Sequence, residues 1–188
     1  MMLNNANNAL LFLVDTVFAL YIVVVLMRAL LQWVHADFRN PISQFVWRAT
    51  SMPVGILARG IPRWRNLDIP AIVFAVILCF INIEIDLALA APEFGAQPAM
   101  AAWWAVLKAA VLVCNFYFFT ILIQALMSWI SPGQHSPATA ILWTINEPLL
   151  RPVRNVVPNI GGLDLSPLVI IIGLQVISRL LPLPGLFR

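Results

Sequence analysis

Charge is what this sequence has least of. Only 10% of its 188 residues are Asp, Glu, Lys or Arg, and 62% are hydrophobic, whereas a soluble domain carries about 25% charged residues. A chain so poor in charge cannot cover a water-facing surface, which excludes an ordinary soluble fold. The net charge of +3 and the pI near 9.4 come from that scarcity and not from a basic tract. Nucleic acid is therefore a poor partner class, and an anionic membrane surface accounts better for the arginines. Cysteine is scarce too. Cys79 and Cys114 both lie inside apolar runs, too few and too isolated for a disulfide framework or a zinc site, and they read as small buried hydrophobes. His35 and His135 have no companion at a metal-ligand spacing, so no metal or cofactor is expected. Residues 1–9, MMLNNANNA, contain no Lys or Arg, which argues against a secretory signal or transit peptide and predicts that the first apolar run is retained.

What the sequence does have is long apolar blocks, with a mean hydropathy of +0.92. Four stretches, roughly 9–34, 69–91, 101–130 and 165–185, are long enough to cross about 30 Å of hydrocarbon at about 1.5 Å per residue. A spanning backbone must satisfy its own hydrogen bonds, and four isolated spans cannot close a barrel, so each is predicted helical. The expected fold is all-α: a polytopic membrane protein forming one membrane domain over 1–188. Between the first two spans lie Arg39, Arg48, Arg59, Arg63 and Arg65, and between the last two lie Arg151 and Arg154. From the end of span two to the start of span three there is no Lys or Arg, but Glu84, Asp86 and Glu93 are present. The positive-inside rule then puts both arginine-bearing connections in the cytoplasm and both termini outside. Arg179 and Arg188 are a mild conflict, outweighed by the five arginines of the first connection.

The chain also repeats itself. At an offset of 96, Tyr21 falls on Tyr117, Trp33 on Trp129, Pro41 on Pro137, Trp47 on Trp143, Pro62 on Pro158 and Asp68 on Asp164, while Pro53 and Arg59 match Pro148 and Arg154 at 95. Coincidence of so many uncommon residues marks a tandem duplication of span, connection and span. An even number of spans per unit makes the repeats parallel, related by an axis along the membrane normal. Asn40-Pro41 and Ser136-Pro137 each read as an N-cap followed by proline at the first helical position. Ile42, Phe45, Val46 and Ala49 in the first connection, and Ala138, Ile141, Leu142 and Ile145 in the second, follow helical spacing. Each connection thus holds an amphipathic helix, either lying in the cytoplasmic interface with Trp47 or Trp143 at headgroup level or packed on the bundle.

A tryptophan ending the first span, then EPLLRPVRNVVP and GGLDLSP leading into the last, resembles the YggT family of small bacterial membrane proteins, related to the YlmG proteins of Gram-positive bacteria, cyanobacteria and plastids. The resemblance covers nearly the whole chain as two repeats. It is specific in the second, through Glu147, Pro148, Arg151, Pro152, Arg154, Pro158, Gly161, Gly162, Asp164, Ser166 and Pro167. In the first repeat Met52 stands for the glutamate and no glycine pair precedes Asp68, so a site built on the motif is expected once. The resemblance implies an integral cytoplasmic-membrane protein linked to osmotic tolerance, cell division or envelope organisation, and in plastids to membrane-complex assembly. It implies no enzymatic activity.

Two readings of the motif stay open. In one, Pro148, Pro152 and Pro158 interrupt helix, Gly161-Gly162 turns the chain, Asp164 and Ser166 cap the last span, and Glu147 meets Arg151 at i,i+4. In the other, Arg151 and Arg154 form a cytoplasmic face that docks anionic lipid or a partner protein. Charges within spans are functional candidates, because isolated charge in hydrocarbon is costly. Asp15 and Lys108 fall at similar depths, and Glu84 and Arg179 at nearly equivalent repeat positions. At least one of these combinations is expected to pair inside the bundle, the alternative being snorkelling to the interface. Arg28 is expected to snorkel, or to meet its repeat counterpart Gln124 across the pseudo-twofold axis. Ala101, Ala105 and Ala109 form a small-residue stripe suited to close helix approach.

With no recognisable nucleophile or acid–base motif, the leading expectation is a non-enzymatic scaffold or assembly factor acting on lipids and other membrane proteins. The alternative is a channel or transporter for ions or osmolytes. Four spans are few for a complete path, so that alternative requires a homo-oligomer.

Overall fold

The computed structural model describes residues 5–90, 97–130, 136–157 and 164–187. The described residues are all-α, with six helices: α1 (Asn5–Trp33), α2 (Pro41–Leu57), α3 (Ile69–Ala90), α4 (Pro98–Ile130), α5 (Pro137–Arg154) and α6 (Ser166–Leu180), then a 3-10 turn at Gly185–Phe187. α1, α3 and α4 are long and apolar enough to cross a membrane, whereas α6 is a shorter apolar helix. The protein is thus a multi-pass membrane protein.

The fourth expected span is shorter than 165–185. α6 has 15 residues, about 22 Å at 1.5 Å per residue. Its end is set by Pro182 and Pro184, which cannot continue a helix and push the residues before them to extended backbone. Leu181, the C-cap, accordingly has φ −65° and ψ 128°. The chain then folds back onto the bundle, where Leu183 and Phe187 are buried and the Phe187 ring lies 5.2 Å from that of Trp104.

Each repeat builds the same unit. A long helix packs on the next apolar helix, α1 on α3 and α4 on α6, and the connecting helix, α2 or α5, packs against both. The repeats meet mainly through α3 against α4, with α2 touching α5. Ala71, Ala75, Cys79 and Ile83 of α3 and Ala101, Ala105 and Ala109 of α4 are buried in one core with Ile22, Val25 and Leu26 of α1. Small side chains let these backbones approach closely, the van der Waals contact on which helices in lipid depend. A second core joins Tyr117 and Ile121 of α4, Ile141, Ile145 and Leu150 of α5, and Ile170 of α6 to Leu31 and Val46.

The connecting helices begin where expected. Asn40 Oδ1 accepts the Ile42 N–H, and Ser136 and Thr139 form a reciprocal capping box. Their inward faces are rotated from the apolar spacing, keeping Val46, Ile141 and Ile145 buried but leaving Phe45, Ala49 and Ala138 exposed. α2 buries Ser43, Val46, Thr50 and Val54, while Phe45 is 64% exposed. α5 buries Thr139, Ile141, Ile145, Asn146 and Leu150. Polar residues turn inward because the membrane helices present polar partners to them. Pro148 and Pro152 do not interrupt helix either, and both lie within α5. They sit on its exposed side, where a carbonyl deprived of its helical donor faces outward and not into the core.

Candidate functional site

Three polar clusters punctuate the apolar bundle, two at the end carrying α2 and α5 and one toward the other end. In the first repeat, Arg28 of α1 is 3% exposed and Asp68, just ahead of α3, is 0% exposed. Arg28 Nε donates to Asp68 Oδ2 at 2.8 Å and its Nη1 to Thr50 Oγ1 at 3.2 Å. The Arg28 guanidinium lies 3.9 Å from the centroid of the Trp47 ring, within cation–π range. Arg63 approaches the other Asp68 oxygen at 3.7 Å. Asp68 also sits where the N-terminal end of the α3 dipole favours a carboxylate. Arg28 therefore neither snorkels nor meets Gln124. The carboxylate at the re-entry point draws it inward.

The second repeat solves the same problem with another arginine. Gln124 stands where Arg28 stands, and its Oε1 accepts from Asn146 Nδ2 at 2.8 Å, while Thr120 Oγ1 donates to Asn146 Oδ1 at 2.8 Å. Asp164, the counterpart of Asp68, is reached from the connection: Arg154 Nε donates to Asp164 Oδ2 at 2.8 Å and Nη1 to Glu147 Oε2 at 3.0 Å. Arg154 lies 5.5 Å from the Trp143 ring centroid. Burial by itself raises the Asp164 carboxyl, but hydrogen bonds from Arg154 and Ser166 together outweigh it and hold Asp164 below the ordinary carboxylate range. The same balance holds Arg154 above its ordinary value, burial opposing and the two carboxylates prevailing. Glu147 thus bonds Arg154 and not Arg151, whose side chain is exposed and makes no ion pair among the described residues. Ser166 is the first residue of α6, not its cap; its N–H donates to Asp164 Oδ1 at 2.9 Å. An arginine, aspartate and tryptophan cluster occurs in both repeats, where the sequence motif predicts one. Pro158, Gly161, Gly162 and His135 lie outside the described residues.

The third cluster joins α1, α3 and α4. Lys108 Nζ is 3.9 Å from Asp15 Oδ1 and 3.5 Å from Asp86 Oδ2, and Asn82 Nδ2 donates to Asp15 Oδ1 at 2.8 Å. Asn82, Asp86 and Lys108 are 0%, 1% and 7% exposed. The Asp15 and Lys108 combination expected from sequence is brought together. The Glu84 and Arg179 combination is not: no ion pair joins them, and Glu84 Oε1 is buried without a hydrogen-bond partner among the described residues. Asn82 and Asp86 are functional candidates that span counting passes over, since Asp86 reads as part of an acidic connection. Their signal is positional. They extend the α3 stripe Ala71, Ala75, Cys79 at helical spacing, the face that meets neighbouring helices.

At the α2 and α5 end, Arg39, Arg48, Arg59, Arg65 and Arg151 are exposed. No group of three or more His, Cys, Asp or Glu suited to a metal ion is present among the described residues.

The family model described as CCB3/YggT matches residues 7–87 and 103–184, the two repeats. The chain is 40% identical to an uncharacterized protein of Vibrio alginolyticus over 89% of this chain and 90% of the relative. It is 35% identical to one of Pseudomonas aeruginosa over 93% and 88%. It is 38% identical to the uncharacterized protein YggT of Escherichia coli K12 over 91% and 88%. No solved structure matches.

Proposed function

The chain belongs to the CCB3/YggT family, and from that premise we propose that it is a non-enzymatic scaffold or assembly factor of the bacterial inner membrane that serves envelope organisation, osmotic tolerance or cell division. In this reading α6 is the fourth span. Beyond it the Leu183 N–H donates to the Leu181 carbonyl at 2.8 Å in a tight turn, and the chain rests on the bundle through Leu183. Irregular backbone at membrane depth is tolerated where it is covered by protein in this way. The α2 and α5 end faces the cytoplasm and both termini lie outside.

The observation that carries the proposal is the set of exposed arginines, Arg39, Arg48, Arg59, Arg65 and Arg151, on one end of the bundle. That end also holds Phe45 and Met52, 64% and 81% exposed, on the outward face of α2. Arginine fits phosphate and carboxylate groups bidentately, and juxtamembrane arginine is attracted to anionic leaflets. Apolar side chains beside it suit contact with a second membrane protein or with lipid at the interface. The arginines spent inside the protein, Arg28 and Arg154, are compensated by carboxylates, so they leave the outward face to the others.

A photo-crosslinking amino acid at Phe45 in cells, followed by identification of the neighbour, tests the proposal. A recurrent membrane-protein adduct that disappears when Arg48, Arg59 and Arg151 are all replaced by glutamine is the expected result. Solute flux through liposomes containing only the purified protein, abolished by the same triple replacement, would instead support a channel or transporter. The charged cluster among α1, α3 and α4 is what favours that second reading.

A further inference from the structure

We propose that Asp15, Asn82, Asp86 and Lys108 form a proton-binding site inside the bundle, holding one exchangeable proton in addition to the charge on Lys108. The inference is independent of the docking surface at the other end. It begins with a charge count. Two carboxylates, on α1 and α3, surround a single ammonium from α4, so the fully ionised cluster carries one uncompensated negative charge. Among the elements packed on α3, α1 contributes Asp15, α4 contributes Lys108, and the turn Gly185–Phe187 contributes no titratable side chain. The one charged group of α2, Arg48, lies toward the opposite end of α3, where Asp68 precedes its first residue. On α3 itself Cys79 lies one turn from Asn82 and Ile83, and Glu84 is two residues from Asp86. No second cation reaches the cluster among the described residues. An uncompensated ion is costly in a low-dielectric interior, and two interacting carboxylates that share a site titrate as a pair, taking up a proton together.

The second observation is independent of charge. Asp86 Oδ1 and Asn82 Oδ1 are both buried without a hydrogen-bond partner among the described residues, although buried polar atoms are nearly always satisfied. The Asn82 amide nitrogen is already committed to Asp15, so its oxygen is left as an acceptor awaiting a donor. Asn82 and Asp86 are neighbours at i,i+4 on one helix face. A proton on the Asp86 carboxyl removes the excess charge and converts an orphaned acceptor into a donor on the face where Asn82 Oδ1 has none. Asp15, with its side chain 42% exposed, is the member open to exchange. Binding forms one O–H bond on a carboxylate and takes the proton from water; release returns it to water.

The count makes the test specific. The carboxyl C=O stretch of the full-length protein in zwitterionic-lipid nanodiscs, followed by infrared difference spectroscopy, reads protonated carboxylic acids directly. Glu84→Gln serves as the background, since half-buried Glu84, with Oε1 enclosed, is the other carboxyl nearby. In that background a protonated-carboxyl band should be present near neutral pH and lost on alkaline titration. It should be absent in both Asp15→Asn and Asp86→Asn, because either leaves one carboxylate balanced by Lys108. Lys108→Met should raise the band about two-fold by admitting a second proton. The two Asp→Asn changes are nearly isosteric, and their folding is checked by monodisperse elution and helical circular dichroism, so the test survives even if Lys108→Met does not fold. Absence of the band in the background, or its persistence in either single Asp→Asn variant, overturns the proposal.

Discussion

Replacing Arg28 by glutamine installs in the first repeat the residue that the second carries at Gln124, and the structure sets what that should cost. Thr50 Oγ1 keeps its own bond to the Val46 carbonyl at 2.7 Å, and glutamine at 28 can reach Thr50 much as Gln124 reaches Asn146. The loss therefore falls on Asp68, fully buried and bonded to Arg28 at 2.8 Å. Breaking a buried ion pair by removing one partner costs about 3–5 kcal/mol, because the other charge is left uncompensated. Arg63, 3.7 Å from Asp68 Oδ1 but with a side chain 45% exposed, can swing inward and cover part of the deficit. The lower end, about 3 kcal/mol, is the expectation, with the Trp47 contact a smaller contribution. Removing the second charge as well, in Arg28→Gln with Asp68→Asn, takes away the uncompensated carboxylate. The double variant should be less destabilised than the sum of the singles by about 2 kcal/mol. Reversible unfolding by steric trapping in bicelles measures all three. An Arg28→Gln change within about 1 kcal/mol of the parent, or strict additivity in the cycle, would refute the claim that this pair is both buried and coupled.

Two further outcomes follow from the second repeat. Asp164 is held below its ordinary value, so its contribution to stability is complete above the unfolded carboxyl value of about 3.9 and is lost as pH falls through the lower folded value. Hydrogen exchange at the start of α6 should show that acid-induced loss of protection in the parent, and Arg154→Gln should reduce protection already at neutral pH and flatten the acid step. Asn146→Leu strands Gln124 Oε1 and Thr120 Oγ1, both bonded to it now. It should destabilise the protein by about 1–3 kcal/mol in the same steric-trapping assay, whereas Thr144→Val, on the outer face of α5, should change little.

The helices and the repeat are legible in the sequence because each rests on a strong, one-dimensional signal: apolar run length for α1, α3 and α4, and the spacing of tryptophans and prolines for the duplication. The caps at Asn40 and Ser136 are legible for the same reason, since capping is local. What could not be read is rotation. Thr50 and Asn146 look like the wet side of an amphipathic helix, because hydrophobicity alone assigns an inward face. They turn inward only because Arg28, Gln124 and Thr120 wait on the membrane helices. Asp86 was hidden differently. Its position near the end of an apolar run suggests an interface, and only the packing of α4 on α3 places Lys108 beside it. The end of α6 could have been foreseen from Pro182 and Pro184, since length of apolar sequence says nothing about whether the backbone can stay helical.

Comparing the repeats also relocates the surface that the motif draws attention to. Both copies keep an aspartate just ahead of their last apolar helix and a tryptophan in the connecting helix, and both supply that aspartate with an arginine. The supplier differs. In the second repeat Arg154 comes from the connection itself and is tied up by Glu147 and Asp164, leaving Arg151 as the exposed arginine of the motif. In the first, Arg28 is supplied from α1, so Arg59, the counterpart of Arg154, is released to the surface with Arg39, Arg48 and Arg65. The copy that conforms to the motif spends its charge on structure, and the copy that departs from it carries most of the exposed basic face. A docking partner of the kind proposed should therefore be more sensitive to changes around α2 than to changes in the motif of α5.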